Sequence, residues 1–245
     1  MLAGTEVLWP EEEDYYFLMK MRTTDGVASF DSEKQNEPLN PEDAVFLEEW
    51  ITYYDEEEVD LTGLAHGCAV DPSLGKRNKR SDPSAIVGGK KKGEIIYLTL
   101  ADIERRHPDK ILTDLIAYHL KTPFDQVAIE AVQFQEYFAG NVEKEAHKQN
   151  ATMNVLPVPE NTDKDLRIIT LQPWIKNGWI RFKRHGMQEL IRHLVYYRPK
   201  NKGGHDDGPD ALEKLKNLLI AGVGKIEYQS VSKRTSSFAG TKGAW

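Results

Sequence analysis

The chain has 245 residues, 40% of them hydrophobic, a single cysteine and a formal net charge of −7. That length suits one medium domain with an appendage, the lone Cys68 excludes an internal disulfide or a paired-cysteine zinc site, and no apolar run approaches the ~20 residues of a membrane span. The N-terminal stretch MLAGTEVLWPEEEDYY lacks the basic region and apolar core of a signal peptide, so a soluble protein of a reducing compartment is expected.

Charge is unevenly spread. Residues 1–60 carry 18 acids and 3 bases, a balance of −15, and the remainder carries 21 acids and 29 bases, a balance of +8. An acidic arm ahead of a basic body suggests an anionic partner for the body. Residues 1–37 have weak periodicity and read as a linker or arm. In NPEDAVFLEEWITYY, Asn40 as N-cap, Pro41 at the first helical position and Glu42 and Asp43 in the first turn predict a helix from about Pro41 to Tyr53. The run DEEEVD then marks a boundary. Residues 1–60 are thus expected to form the arm, 61–230 the main domain and 231–245 a mobile polar tail.

Past Leu61 the pattern changes. LTGLAHGCAVD predicts a short strand ending at Asp71, and SAIVGG and EIIYLTLADI two more strands joined by basic turns. PDKILTDLIAYHLKT has helical spacing behind Pro108, and DQVAIEAV is a short buried strand carrying Glu130. QFQEYFAGNVEKEAHKQN predicts a helix weakened at Gly140, and NVLPVP a strand. DKDLRIITLQPWIKNG predicts a helix broken near Pro173, WIRF a strand, and GMQELIRHLVYYR a helix. A last helix is expected from about Gly208 to Ile220. Three strands, then helix, strand, helix, strand and helices, make a mixed α/β sheet with an antiparallel start, flanked by helices. This is the order of the ribonuclease H-like fold, which brings acids from the first strand, a middle strand and a late helix to one sheet edge.

The acids fall where that fold needs them. Asp71 ends the first strand and Glu130 the fourth, each after an apolar run where an uncompensated carboxylate is costly. Asp206, Asp207 and Asp210 open the last helix, and the spacing of Asp207 and Asp210 lets both face one side of its first turn. Asp206 or Asp207 also suits the N-cap before Pro209. Converging carboxylates repel one another, and divalent cations relieve that repulsion. Oxygen-only donors suit Mg2+ or Mn2+, and two such ions support phosphodiester hydrolysis. Asp82, Asp206 and His205 are candidate further ligands. Basic residues cluster in the turns: Lys76, Arg77, Lys79 and Arg80 after Asp71, then Lys90 and Lys91, then Arg184, then Lys200 and Lys202. They are the expected phosphate contacts, flanking the acids, and no base-reading motif accompanies them.

The stretches VDPSLGKRNKRSDPSAIVGG, VAIEAVQFQ, GWIRFKRHGMQELIRHLVYY and HDDGPDALEKL, in this order, resemble the C-terminal nuclease domain of the large terminase subunit of tailed phages and prophages. VLWPEEEDYYFLMKMR and FDSEKQNEP are similar to the segment that links that protein's ATPase domain to its nuclease. The resemblance implies a two-metal endonuclease that cuts concatemeric double-stranded viral DNA during genome packaging. It implies metal ligands at Asp71, Glu130 and Asp207, with Asp210 carried beside Asp207. It also implies the terminase ATPase domain, the small subunit and the portal as partners, a monomeric isolated domain and a place in the host cytoplasm. No GxxxxGK[ST] loop occurs in the chain, so the ATP-driven motor is not expected within it. Two other readings stand beside this one: a docking module whose acids are structural, and another ribonuclease H-like enzyme such as a transposase or junction resolvase.

Overall fold

The computed structural model describes residues 7, 9, 11–24, 44–72, 83–131, 145–146, 148–149, 151–159, 162–199 and 205–223. A seven-stranded mixed sheet forms its centre, in the order β1-β7-β4-β3-β2-β5-β6. The strands are β1 (Thr52–Tyr54), β2 (His66–Asp71), β3 (Ser84–Lys92), β4 (Ile95–Glu104), β5 (Gln126–Glu130), β6 (Val155–Val158) and β7 (Ile180–Lys183). Strands β2, β3 and β4 form an antiparallel meander, whereas β5 runs parallel to β2, and β7 parallel to β4. This is the ribonuclease H-like order expected from the sequence.

The two faces are covered by different helices. On one face, α2 (Pro108–Lys121) buries Ile111, Leu112, Leu115 and Ile116 against Cys68, Val70, Ile86, Val127 and Ile129. That stripe repeats at helical spacing, and the helix starts where His107 accepts a hydrogen bond from the Asp109 N–H, with Pro108 just inside. On the other face lies α6 (Asp207–Ala221), whose Ala211, Leu212, Leu215, Leu218 and Leu219 pack on Ala69, Ala85, Val87 and Leu98. Glycine permits its close approach: a Cβ on Gly67 would come within 3.0 Å of Leu219 Cδ2, and one on Gly89 within 3.2 Å of Leu215 Cδ2. Three shorter helices complete this layer, α3 (Lys164–Ile169), α4 (Leu171–Lys176) and α5 (Gln188–Val195).

The arm differs from expectation. In place of a helix through Tyr53 there is a single 3-10 turn at Glu48–Trp50, followed by β1, which pairs in parallel with β7. Thr52, Tyr53 and Tyr54 gain a strand partner about 130 residues away, which no local signal reveals. Phe46 and Ile51 are buried in the same hydrophobic core that α6 joins, and Gln172 Nε2 donates to the Val45 carbonyl at 3.0 Å. Residues 44–60 therefore belong to the folded domain, and a boundary at residue 60 does not describe them. Upstream, Asp14 caps α1 (Tyr15–Thr24) by accepting from the Phe17 N–H at 2.7 Å. The predicted break near Pro173 falls earlier, at Thr170, where α3 hands over to α4. Pro173 sits in the first turn of α4, where its missing N–H costs little. The predicted helix around Gly140 and the C-terminal tail lie outside the described residues, apart from short pieces of the former.

At the open end of β4, the side chain of Arg106 is buried beside Asp102 and Asp114, 2.7 Å from each. Lys110 adds bonds to Asp114 at 2.8 Å and Glu104 at 3.4 Å, and Tyr118 donates to Asp102 at 2.9 Å. Removing the buried cation leaves two partly buried carboxylates facing each other. Arg106→Met is expected to lower unfolding free energy by about 1–3 kcal/mol, measured by urea denaturation.

Candidate active site

The sheet register brings two predicted acids together. In the parallel pair β2/β5, Val70 lies opposite Ile129, so Asp71 and Glu130 each follow by one step at the C-terminal ends of neighbouring strands. Ala69 and Ala128, two residues earlier, both face the core beneath α6. Strand alternation therefore turns Asp71 and Glu130 toward the same side. Helix α6 crosses that side antiparallel to β2. Its Leu219 sits over Gly67 at the start of β2, and its first residues reach the end where Asp71 lies.

Asp207 opens α6 and is 4% exposed. Its Oδ2 has no hydrogen-bond partner among the described residues. Burial, and then the nearby charge of Asp71, push its carboxyl up to about 8. Gly208 follows it because space is short: a Cβ there would meet Ile103 Cδ1 at 2.7 Å, Leu190 Cδ1 at 3.1 Å and His193 Nδ1 at 3.3 Å. Gly208→Ala is expected to displace the start of α6 and cost about 1–3 kcal/mol in thermal or urea unfolding, with a further loss of any activity that depends on Asp207.

Asp210 is held differently. Arg167 lies 2.9 Å from its Oδ1, Lys214 2.6 Å and Lys164 3.8 Å from its Oδ2. Burial works against ionisation, yet Lys214, Lys164 and Arg167 outweigh it and hold the carboxyl below its ordinary range. Asp210 is thus an anchor for α3 against α6: both acids have a buried oxygen without a hydrogen-bond partner among the described residues, but that of Asp210, Oδ1, lies 2.9 Å from the Arg167 guanidinium. Asp206 occupies the N-cap position but makes no capping hydrogen bond. Its carboxylate pairs with Lys164 at 3.0 Å instead, a correction to the expected cap. His205 stacks on His193 at 5.4 Å and lies 3.5 Å from Arg105 Nη2, on the β4 and α5 side.

Lys164 and Arg167 were not singled out from sequence. They stand three apart on α3, one turn of helix, and so point together at α6. That spacing of bases ahead of an acid-rich helix was the available signal. Lys164 Nζ also lies 3.8 Å from Asp71 Oδ2.

The basic candidates separate. Lys76, Arg77, Lys79, Arg80, Lys200, Lys202 and Asp82 lie outside the described residues. Lys90 pairs with His66 and Asp71 with Ala85 across the antiparallel β2/β3 ladder, so Lys90 and Lys91 occupy the end of the sheet opposite the acids. The expectation that this turn flanks the acidic site therefore fails. Lys90 donates to the Leu61 carbonyl at 3.1 Å. Arg184 makes a two-pronged pair with Asp55, at 2.8 and 2.9 Å. Part of the charge split between arm and body is thus balanced within the chain.

Asp71, Glu130 and Asp207 offer only oxygen donors, and the buried Asp207 Oδ2 lacks a hydrogen-bond partner among the described residues, so this set fits a hard divalent cation. Among the described residues, the acid trio whose oxygens all lie within 4.8 Å of one another is a different one, Asp102, Glu104 and Asp114. Arg106 and Lys110 already stand among those carboxylates. That cluster is an ion-pair network, and the Asp71 set is the more loosely gathered one.

The fold has known counterparts. The chain is similar in structure to the human cytomegalovirus terminase nuclease domain in a Mn-soaked, inhibitor-bound form, with a TM-score of 0.53 and 10% identity over 72% of this chain and 95% of that one. A second structure of that domain gives 0.52 and 11%, over 68% and 89%. The large terminase from the thermophilic bacteriophage D6E gives 0.50 and 12%, over 72% of this chain but 44% of the phage protein. No family model matches the chain, and no curated protein is similar to it in sequence. No described helix is long and apolar enough to cross a membrane.

Proposed function

We propose that this chain, which has the fold of a terminase nuclease domain, is a divalent-cation-dependent endonuclease that cuts double-stranded DNA during viral genome packaging. The observation that carries the reading is the approach of Asp71, Glu130 and Asp207 to one sheet end, with a buried Asp207 oxygen that lacks a hydrogen-bond partner among the described residues. Mg2+ or Mn2+ held by these acids supplies stabilisation of charge on the scissile phosphate and a more acidic attacking water. Asp71 and Glu130 are fixed by strands paired in the sheet, and Asp207 by the packed first turn of α6. This rigidity holds the donors ready before substrate arrives.

Phosphate contacts are assigned to the basic residues that follow Asp71 in sequence, Lys76, Arg77, Lys79 and Arg80, and to Lys200 and Lys202, which precede α6 in sequence. Lys90, Lys91 and Arg184 would touch only DNA that extends around the sheet. The partners of this reading are double-stranded DNA, a terminase ATPase domain, a small terminase subunit and a portal, in the host cytoplasm.

Supercoiled plasmid incubated with the full chain in Mg2+, Mn2+, Ca2+ or EDTA tests it. Nicked or linear product in Mg2+ or Mn2+, and none in EDTA, is expected. No cleavage in any metal sinks the reading in favour of a docking module. Cleavage confined to branched DNA favours a resolvase.

A further inference from the structure

Lys164 sits among the acids that the proposed reaction would use. Its ammonium lies 3.0 Å from Asp206 Oδ1, 3.8 Å from Asp71 Oδ2 and 3.8 Å from Asp210 Oδ2. The side chain is 37% exposed, so it reaches these oxygens from the rim of the site. It is the first residue of α3, and α3 is locked to α6 through Arg167, 2.9 Å from Asp210, so the ammonium is delivered by a packed element.

The charges around it are uneven. At this end of the sheet the described residues include five carboxylates, Asp71, Glu130, Asp206, Asp207 and Asp210. Three cations stand among them, Lys164, Arg167 and Lys214. The cations are also placed on one side: Lys164 bridges Asp71, Asp206 and Asp210, whereas Asp207 Oδ2 has no hydrogen-bond partner among the described residues. Asp71 is the acid both sides share, since its charge also acts on Asp207.

We infer that Lys164 stands in for one of the two cations that a two-metal nuclease would use, so that this site takes a single divalent ion, on the Asp207 side of Asp71. The inference rests on the proposed nuclease reading. A fixed ammonium beside a metal-binding carboxylate repels a second dication at short range. It can also offer a phosphate the positive charge that the second ion would have supplied.

Mn2+ bound to the DNA-free full chain is counted by the loss of its free-ion electron paramagnetic resonance signal during titration. The wild type is expected to bind one ion, Lys164→Gln two, and Lys164→Arg one. Lys164→Met, which keeps the apolar stem, serves as a second neutral variant should the glutamine form misfold, and is expected to bind two. Two ions in the wild type overturn the inference and leave the nuclease reading intact. One ion in the wild type and in a folded neutral variant also overturns it, because Lys164 then excludes nothing. No bound ion in the wild type removes the metal reading itself, and this inference with it.

Discussion

Asp71→Asn is expected to reduce plasmid cleavage in Mg2+ or Mn2+ by about 10^3-fold or more, the loss of roughly 4 kcal/mol of transition-state stabilisation. The substitution keeps the shape of the side chain and removes only its charge. Asp71 is 5% exposed and lies at the end of a strand paired on both sides, so little else can move to replace it. Stability should change in the opposite direction. In the metal-free protein the charge of Asp71 disfavours ionisation of Asp207, and an amide relieves that repulsion. Partly offsetting this, Lys164 loses one of its three carboxylate partners. A folded, equally or more stable Asp71→Asn protein without cleavage therefore separates chemistry from folding. Full cleavage by the variant would remove Asp71 from the site.

Much of this site was legible because its acids terminate elements that local pattern identifies. Asp71 and Glu130 follow apolar runs too short for helices, and Asp207 and Asp210 open a leucine-rich helix behind Pro209. What pattern could not supply was the partner of each charge. Asp210 looks equivalent to Asp207 in sequence, yet Lys214 on its own helix and Arg167 on α3 neutralise it. Strand β1 was misread because Asn40, Pro41, Glu42 and Asp43, ahead of it, form a helix-start pattern, while β7, far along the chain, offers a parallel edge. The position of Lys90 and Lys91 could have been derived. An antiparallel β2/β3 pair puts the turn after β2 at the acidic end and the turn after β3 at the other.

The second large effect concerns Asp207, and its sign is fixed by the raised carboxyl. In the native metal-free protein this group keeps its proton up to about pH 8, whereas the ordinary value is 3.8. Between those limits the native state binds more protons than the unfolded one, so stability falls as pH rises through the window and levels off above it. At the limit each pH unit costs the native state about 1.4 kcal/mol. Relaxation of the site reduces the total to about 2–3 kcal/mol, or roughly 5–10 °C in Tm for a chain of this size. Asp207→Asn cannot ionise, so in EDTA it should be more stable than the wild type at pH 8 and nearly equal at pH 4.5. Divalent metal reverses the order. Ionised Asp207 is the form that binds a cation, so Mn2+ should raise the wild-type Tm far more at pH 8 than at pH 5, with release of a proton. The variant should gain little at either pH. A wild type and an Asp207→Asn protein with parallel Tm profiles in EDTA would show that Asp207 is ionised without metal. The crowding of Asp71 and Asp207 would then not be what selects a cation.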